Sequence, residues 1–343
     1  MIESDSRMRA EIGEAPGAVE RQEAVLAAPL ADLVAQLKRR PPRVVVTCAR
    51  GSSAHAATFG KHLIERYLGI PVAAAAPSVV TVYAEQLRLE GELFLAVSQS
   101  GRSDDLVEFA RAAKQGGAVT AALVNATDSP LAAACDVVLP MEAGPELSVA
   151  ATKTVVASMA ALLRLAALWT GDAALARGVD RLPVRLARAT ELDWSEPLAA
   201  LRETESLVAI GRGPTLSIAR EASLKLKETS NIHAEAFSGA EFLHGPVSLV
   251  SHRYPILMFM PNDEASPGLE RLAADLREKG AALHVAEPGP AGPGRLPALE
   301  PDCAEADAIC LLQSFYGMAV RLAELRGVDV DRPRHLNKVT RTR

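Results

Sequence analysis

The chain has 343 residues, 49% of them hydrophobic, 23% charged and 4% aromatic, with a formal net charge of −5. That is a globular composition, long enough for two domains of ordinary size. The negative balance and the scarcity of aromatic rings argue against nucleic acid or an anionic membrane as the main partner, yet leave room for a local anion pocket. Cys48, Cys135, Cys303 and Cys310 are scattered and form no CxxC pair, so a cytoplasmic protein without disulfides is expected. The start, MIESDSRMRAEIGEAP, has neither the basic nor the apolar region of a signal peptide. The longest apolar stretch, 157–169, contains Arg164 and is too short to span a bilayer.

In chain order, 8–38 reads as helical with a break near 13–17, and Pro41-Pro42 ends it. The β-branched run 43–48 is a buried strand, followed by the turn Arg50-Gly51-Ser52-Ser53 and a helix over 54–67. Strands are expected at 70–75, 93–97, 118–124 and 137–139, with a helix over 106–115 capped by Gly116-Gly117. A long apolar helix, 148–169, closes the unit, and 170–196 is a helical linker. The pattern then restarts with a strand at 206–210, a turn at 211–213 and a helix over 214–230. Segment 231–235 should be loop, 254–260 strand, 268–279 helix and 281–285 strand. The Pro- and Gly-rich stretch 287–301 should be loop, before a terminal helix, or a short strand running into one, over 308–325.

Alternating strands and helices imply a parallel sheet covered on both faces. RVVVTCARGSSAHAATFGKHL at 43–63 parallels SLVAIGRGPTLSIAREASLKL at 206–226, so the chain reads as a duplicated α/β unit. The copies differ after their third strands: SQSGRS stands at 98–103, PNDEAS at 261–266. Asp263 and Glu264 would repel a phosphate, which places one phosphate site per chain, in the first half.

The strand-to-helix turn at 98–105 offers unpaired helix N–H groups and the hydroxyls of Ser98, Ser100 and Ser103 beside Gln99. One serine there would be ordinary capping; three in six positions, with Gly101 allowing close approach, favour phosphate. Ser52 and Ser53 open a neighbouring turn, and in a doubly wound sheet both turns can face one crevice. Neither a GKS/GKT loop nor a GxGxxG is present, so no nucleotide or dinucleotide is indicated. Downstream, 225–246 is crowded with acid–base groups. Glu228 is flanked by Lys225 and Lys227 and could be an exposed helical charge or a base. His244, before Gly245-Pro246, lies on a turn and can titrate near neutrality. The spacing of His233, Glu235 and His244 fits no familiar metal pattern. The basic tail 332–340 is either a frayed terminus or a docked strap delivering Lys338, since a lysine in a dry pocket can form a Schiff base.

These motifs resemble the sugar isomerase (SIS) family, specifically the isomerase half of glucosamine-6-phosphate synthase and its stand-alone relatives, including isomerising glucosamine-6-phosphate deaminases. The resemblance runs nearly end to end through MRAEIGEAP (8–16), SQSGRSDD (98–105), ELSVAATKT (146–154), EASLKLKETSNIHAEAFSGAEFLHGP (221–246) and PRHLNKVT (333–340). It implies an α/β fold of two tandem SIS domains, each a doubly wound, flavodoxin-like parallel sheet flanked by helices. The corresponding boundaries are a helical segment at 1–40, the phosphosugar-binding domain at 41–175 and a helical linker at 176–200. A second domain, with the base and the ring-opening histidine, spans 201–328, and the tail 329–343.

The resemblance implies the following roles. Ser98, Gln99, Ser100 and Ser103 match the sugar-phosphate loop, where the family usually has threonine at the last place; Ser52 and Ser53 match its first hydroxyl turn. Glu228 matches the base that moves a proton between C1 and C2, with Lys225 beside it. His244 matches the ring-opening residue, which in the synthase arrives from the partner subunit, so a homodimer is expected. Lys338 matches the Schiff-base lysine of the tail. Val149 and Ala151 match substrate-contacting positions, Ala151 replacing a serine.

The chain reaches the isomerase region almost at once after Met1-Ile2-Glu3, so no glutaminase is expected ahead of it. The expected reaction is therefore glucosamine 6-phosphate to fructose 6-phosphate plus ammonia, with no metal or redox cofactor needed. An aldose–ketose isomerase of phosphosugars, or an aminotransferase-like protein without glutaminase, would share the same residues. A phosphosugar-sensing regulatory module would need a DNA-binding segment ahead of the first strand, for which 1–40 is a poor candidate.

Overall fold

A computed structural model describes residues 6–338. The chain divides into two compact units. One comprises Gly17–Glu146, Lys153–Arg177 and the chain from Asn337; the other comprises the chain up to Pro16, Leu147–Thr152 and Gly178–Leu336.

The first of these holds strands β1 (Val45–Ala49), β2 (Val72–Ala74), β3 (Leu93–Ser98), β4 (Val119–Val124) and β5 (Val137–Pro140). All pair in parallel, in the order β2-β1-β3-β4-β5. Most of helix α1 (Arg7–Arg39) belongs to this unit, with α2 (Gly51–Leu68), α3 (Ser78–Thr81), α4 (Asp104–Gln115), α5 (Pro130–Ala134) and α6 (Lys153–Thr170). Every residue of β3 is buried, as a central strand covered on both faces must be. On one face Phe94, Ala122 and Val124 pack with Leu106, Phe109 and Ala110 of α4. α2 packs against α6 so closely that a Cβ on Gly60 would lie 3.1 Å from the Leu162 side chain.

The second unit contains α7 (Ala173–Thr190) from Gly178 on, α8 (Leu198–Leu201), β6 (Ser206–Gly211), α9 (Thr215–Ser230), β7 (His233–Ser238) and α10 (Gly239–Phe242). It continues with β8 (Pro255–Phe259), α11 (Ser266–Glu278), β9 (Ala282–Pro288), β10 (Arg295–Ala298) and α12 (Ala304–Leu325). Its sheet is again fully parallel, in the order β10-β9-β8-β6-β7. Counted from its own first strand, that is the same order as the first sheet, and it is the flavodoxin-type arrangement.

Four sequence expectations are corrected. Helix α1 runs unbroken through Gly13 and Pro16. Pro16 cannot donate to the carbonyl of Ile12; the buried amide of Gln313 donates to it instead, at 2.8 Å. Residues 233–235 are not loop but the start of edge strand β7, paired with β6 through Ser206↔His233 and Val208↔Glu235. Within 287–301, β10 pairs with β9, and its Pro297 is tolerated because β10 is an edge strand. Its carbonyl accepts from Trp194 Nε1 at 2.8 Å. Finally, the apolar run at 157–169 belongs to an 18-residue helix, α6; with α12 it is long and apolar enough to cross a membrane by length and composition. Their apolar windows are 83% and 78% buried inside the protein, as core helices are.

The Gln313 bond yields a test. Gln313→Leu should destabilise the protein by about 1–3 kcal/mol by stranding the Ile12 carbonyl. In a Pro16→Ala background, where residue 16 regains a helical N–H, the same substitution should cost less. Equal costs in both backgrounds, in denaturant unfolding, would refute the assignment.

Candidate active site

In the parallel order 2-1-3-4-5, the chain leaves β1 toward one edge of the sheet and β3 toward the other, opening a crevice at their carboxyl ends. β1 and β3 are in register there, with Ala49 beside Val97. The turns that follow them carry the serines. In the β3–α4 turn, buried Ser98 accepts the Gly101 N–H at 3.1 Å, and Ser100 accepts the Arg102 N–H at 3.3 Å. Gly101 has φ +61°, and a Cβ on it would strike Ser129 Oγ at 2.1 Å. Only glycine fits that elbow. Ser103 stands at the N-cap of α4 without bonding the helix through its side chain. Its hydroxyl and the first N–H groups of α4 thus remain available to an anion. Gln99, Ser100 and Ser103 are half-buried at the surface of this turn. Across the crevice, Ser52 is buried and Ser53 half-buried in the first turn of α2.

Arg50, the N-cap residue of α2, ties the two turns together. Its Nε and Nη2 both donate to Asp105 Oδ2, at 2.9 and 2.7 Å. Asp105 is almost fully buried in the first turn of α4. The same unit holds the tail lysine: Lys338 Nζ lies 3.1 Å from Oε2 of fully buried Glu146. Glu146 also accepts from the Thr154 N–H at 3.1 Å and the Thr154 hydroxyl at 2.7 Å, capping α6. That cap starts the helix at Lys153 and corrects the expected start at 148. The Val339 and Thr340 positions of the tail motif lie outside the described residues.

The β6–β10 unit holds the acid–base groups. Lys225 on α9 is fully buried; its Nζ contacts Glu228 Oε2, one turn on, and lies 3.5 Å from Oε1 of Glu221, one turn back. Glu221 is also fully buried, and its Oε1 accepts from Tyr316 OH of α12 at 3.1 Å. Glu228 keeps 20% of its side chain exposed. The arrangement is thus a buried ammonium with one sealed carboxylate behind it and one partly open carboxylate in front. Glu228 is therefore not the ordinary exposed helical charge. His244 is exposed on the turn after α10, its N–H bonded to the Glu241 carbonyl at 3.0 Å.

In the segment before α6, Ser148, Ala150 and Thr152 are buried while Val149 and Ala151 are half-exposed. Buried Glu11 of α1 holds this segment, accepting from the Ser148 N–H at 3.3 Å and from the Leu147 N–H and the Ser148 hydroxyl. Glu11 and Glu146 stand inside the sequence motifs, but nothing local marks them as clamps. Arg50, Asp105 and Tyr316 were likewise not singled out, because their roles depend on partners far along the chain.

The four thiols do not supply a nucleophile: burial pushes Cys48, Cys135 and Cys310 up to about 12 and Cys303 to about 11. Among the described residues there is no group of three or more His, Cys, Asp or Glu that could hold a metal ion.

Comparison with known proteins places this architecture. The SIS domain model matches residues 39–168 and 200–286, and the chain belongs to the SIS domain family. An isomerizing glutamine–fructose-6-phosphate aminotransferase from Symbiobacterium thermophilum is 35% identical over 319 residues, covering 87% of this chain and 52% of the relative. The chain thus spans about half the length of the curated relatives it matches. A crystal structure of a protein provisionally described as a phosphosugar isomerase, from Silicibacter pomeroyi DSS-3, superposes with a TM-score of 0.90 at 43% identity. The match covers 95% of this chain and 100% of that one. The C-terminal domain of glucosamine-fructose-6-phosphate aminotransferase from Francisella tularensis gives a TM-score of 0.80 at 25% identity, over 96% and 99% of the two chains.

Removing one partner of a buried ion pair leaves the other charge uncompensated. Lys225→Met should therefore destabilise the protein by about 3–5 kcal/mol. Adding Glu221→Gln should recover part of that loss. A double variant no more stable than Lys225→Met alone, in thermal or denaturant unfolding, would show that Lys225 does not neutralise Glu221.

Proposed function

We propose that the two sheets are tandem SIS domains and that the chain is a phosphosugar isomerase acting on a hexose 6-phosphate, with an amino sugar as the preferred substrate. The supporting observation is the pairing of Glu228 with Lys225: a carboxylate ion-paired with a fully buried lysine yet still open on one side. The relatives named above act on fructose 6-phosphate or are described as phosphosugar isomerases. In this reading the hydroxyl-lined turns hold the phosphate through Ser52, Ser53, Ser98, Gln99, Ser100 and Ser103. The segment with Val149 and Ala151 contacts the sugar.

His244 opens the ring by moving a proton from the C1 hydroxyl to the ring oxygen, exposing an aldehyde. The carbonyl acidifies the C2 hydrogen, so a positioned carboxylate can remove it. Glu228 takes that proton from C2 and returns it to C1, giving the ketose or, from an amino sugar, the ketose imine. Water adds to the imine carbon and ammonia leaves, producing fructose 6-phosphate from glucosamine 6-phosphate. An ammonium from Lys225 stabilises the enediolate-like charge that builds up between the two proton transfers. Lys338 is read as a second amine for the open-chain ketose, paired with Glu146 in this structure.

An aldose–ketose isomerisation uses the same proton transfer and differs only in carrying a hydroxyl rather than an amine at C2. A panel of hexose and hexosamine 6-phosphates separates the two. Ammonia is expected from glucosamine 6-phosphate, and its absence with every hexosamine phosphate would rule out the deaminase reading. Glu228→Gln should lower C2–H exchange with solvent deuterium by about 10²- to 10⁴-fold, while inorganic phosphate binds as in the wild type. Simultaneous loss of both would indicate misfolding rather than a missing base.

The chain is also read as a homodimer in which His244 serves the site of the other copy. Exposed Leu243 and Leu249, flanking the His244 turn, are consistent with a covered surface. Light scattering should give twice the 36.2 kDa chain mass. Mixed dimers of the inactive Glu228→Gln and His244→Ala variants should regain activity, since one site then has both groups intact. A fully active monomer, or mixtures that stay inactive, would overturn this.

A further inference from the structure

The hydroxyl-lined turns present neutral donors and a helix dipole, but a bound phosphate would also meet Asp104 and Asp105 in the first turn of α4. We propose that Arg50 supplies the fixed positive charge of the phosphate site and sets its preference for a phosphorylated sugar. This rests on the reading of the two turns as the phosphate site. Arg50 stands immediately before the Gly51-Ser52-Ser53 turn, in extended backbone, at the N-cap of α2, and its side chain makes no capping bond there.

Two features mark it as more than a surface ion pair. First, its partner is sealed: Asp105 has only 2% of its side chain exposed, and its other oxygen accepts the Leu106 N–H at 2.9 Å. A buried carboxylate gripping Nε and Nη2 fixes the plane of the guanidinium. Second, both bonds fall on one oxygen of Asp105, so the Nη1 edge stays uncommitted, and 52% of the side chain remains exposed. Arg50 therefore neutralises the carboxylate that would repel an anion at α4, and keeps donors for the anion itself. Arg102, the other arginine of these turns, faces exposed Asp128 at 3.8 Å and has no such anchor. Arg50 is thus a specificity-determining contact, and Asp105 a positioning residue acting through it.

The test is calorimetric titration of the full chain with inorganic phosphate, together with steady-state kinetics on glucosamine 6-phosphate. R50Q should weaken phosphate binding roughly 10- to 100-fold, the loss of one charge-assisted contact, and raise KM by a similar factor. Its kcat should stay within about threefold of the wild type, a split that a merely structural arginine would not produce. R50K, which keeps the charge and loses the planar fork, should fall between. Because R50Q strands the Asp105 carboxylate, R50Q/D105N serves as the folded control: it should unfold like the wild type and still bind phosphate weakly. Phosphate affinity within twofold of the wild type in R50Q/D105N, with S100A weakened, would overturn the role of Arg50 and leave the phosphate site standing. No phosphate binding by the wild type, with no change of KM in S100A, would overturn both.

Discussion

Parallel strands β1 and β3 lie side by side, and the chain must leave them on opposite sides of the sheet. No helix can then cover their carboxyl ends, so two helix N-termini, α2 and α4, converge on the same uncovered spot. Unpaired N–H groups and positive dipole ends are expensive to bury and cheap to leave facing an anion. Everything that makes the β1–β5 unit useful follows from that placement. The serines add donors where the backbone already supplies them. Gly101 lets the backbone fold tightly enough against Ser129 to turn those donors outward. The Arg50–Asp105 bridge fixes the separation of the two turns, since a change in either would pull a buried carboxylate away from its cation.

The β6–β10 unit repeats the strand order and spends the same opening differently. Its β6–α9 turn has Arg212, Gly213 and Pro214 where the first unit has Arg50, Gly51 and Ser52, and Asp263 and Glu264 follow β8 where serines follow β3. An anion site is unfavourable there. The buried charges sit instead on α9, where Glu221, Lys225 and Glu228 occupy successive turns of one helix face. A lysine with no exposed surface can stay charged only if carboxylates replace its water. Glu221, steadied by Tyr316, does so from behind, which frees Glu228 to remain partly open in front. The two sheets thus have openings of the same strand order, and a few side chains make them chemically different: hydroxyl-lined in one, acidic in the other.

Much of this was legible in the sequence, because buried parallel strands and amphipathic helices announce themselves through local periodicity. The serine elbow was legible for the same reason: strand, turn and helix follow within a dozen residues. What escaped was decided by distant partners. Pro16 reads as a helix breaker until Gln313, 301 positions along the chain from Ile12, takes over the Ile12 carbonyl that Pro16 orphans. The segment 148–152 reads as helical until the Glu11 carboxylate claims the N–H and hydroxyl of Ser148. Strand β10 is hidden by Pro297 and by the prolines and glycines that precede it, since an edge strand needs only one hydrogen-bonded side and its pairing is a property of β9.

The same distinction separates the two kinds of functional residue. Ser98, Gln99, Ser100 and Ser103, proposed to hold phosphate, share one backbone turn, so their pattern is written locally. Glu228 and Lys338 owe their surroundings to distant packing: a buried lysine beside the one, a buried carboxylate beside the other. The Lys338–Glu146 contact bears directly on the chemistry of the tail. In the Schiff-base reading proposed above, the Lys338 nitrogen has to reach a carbonyl of the substrate, and here it is engaged by Glu146. Glu146 also caps α6 through Thr154, so it cannot follow the lysine without releasing the helix start. Covalent use of Lys338 therefore requires the tail to leave Glu146, whereas purely electrostatic use does not. In that reading, Lys338 leaves Glu146 before any Schiff base forms, and the cap on α6 stays behind.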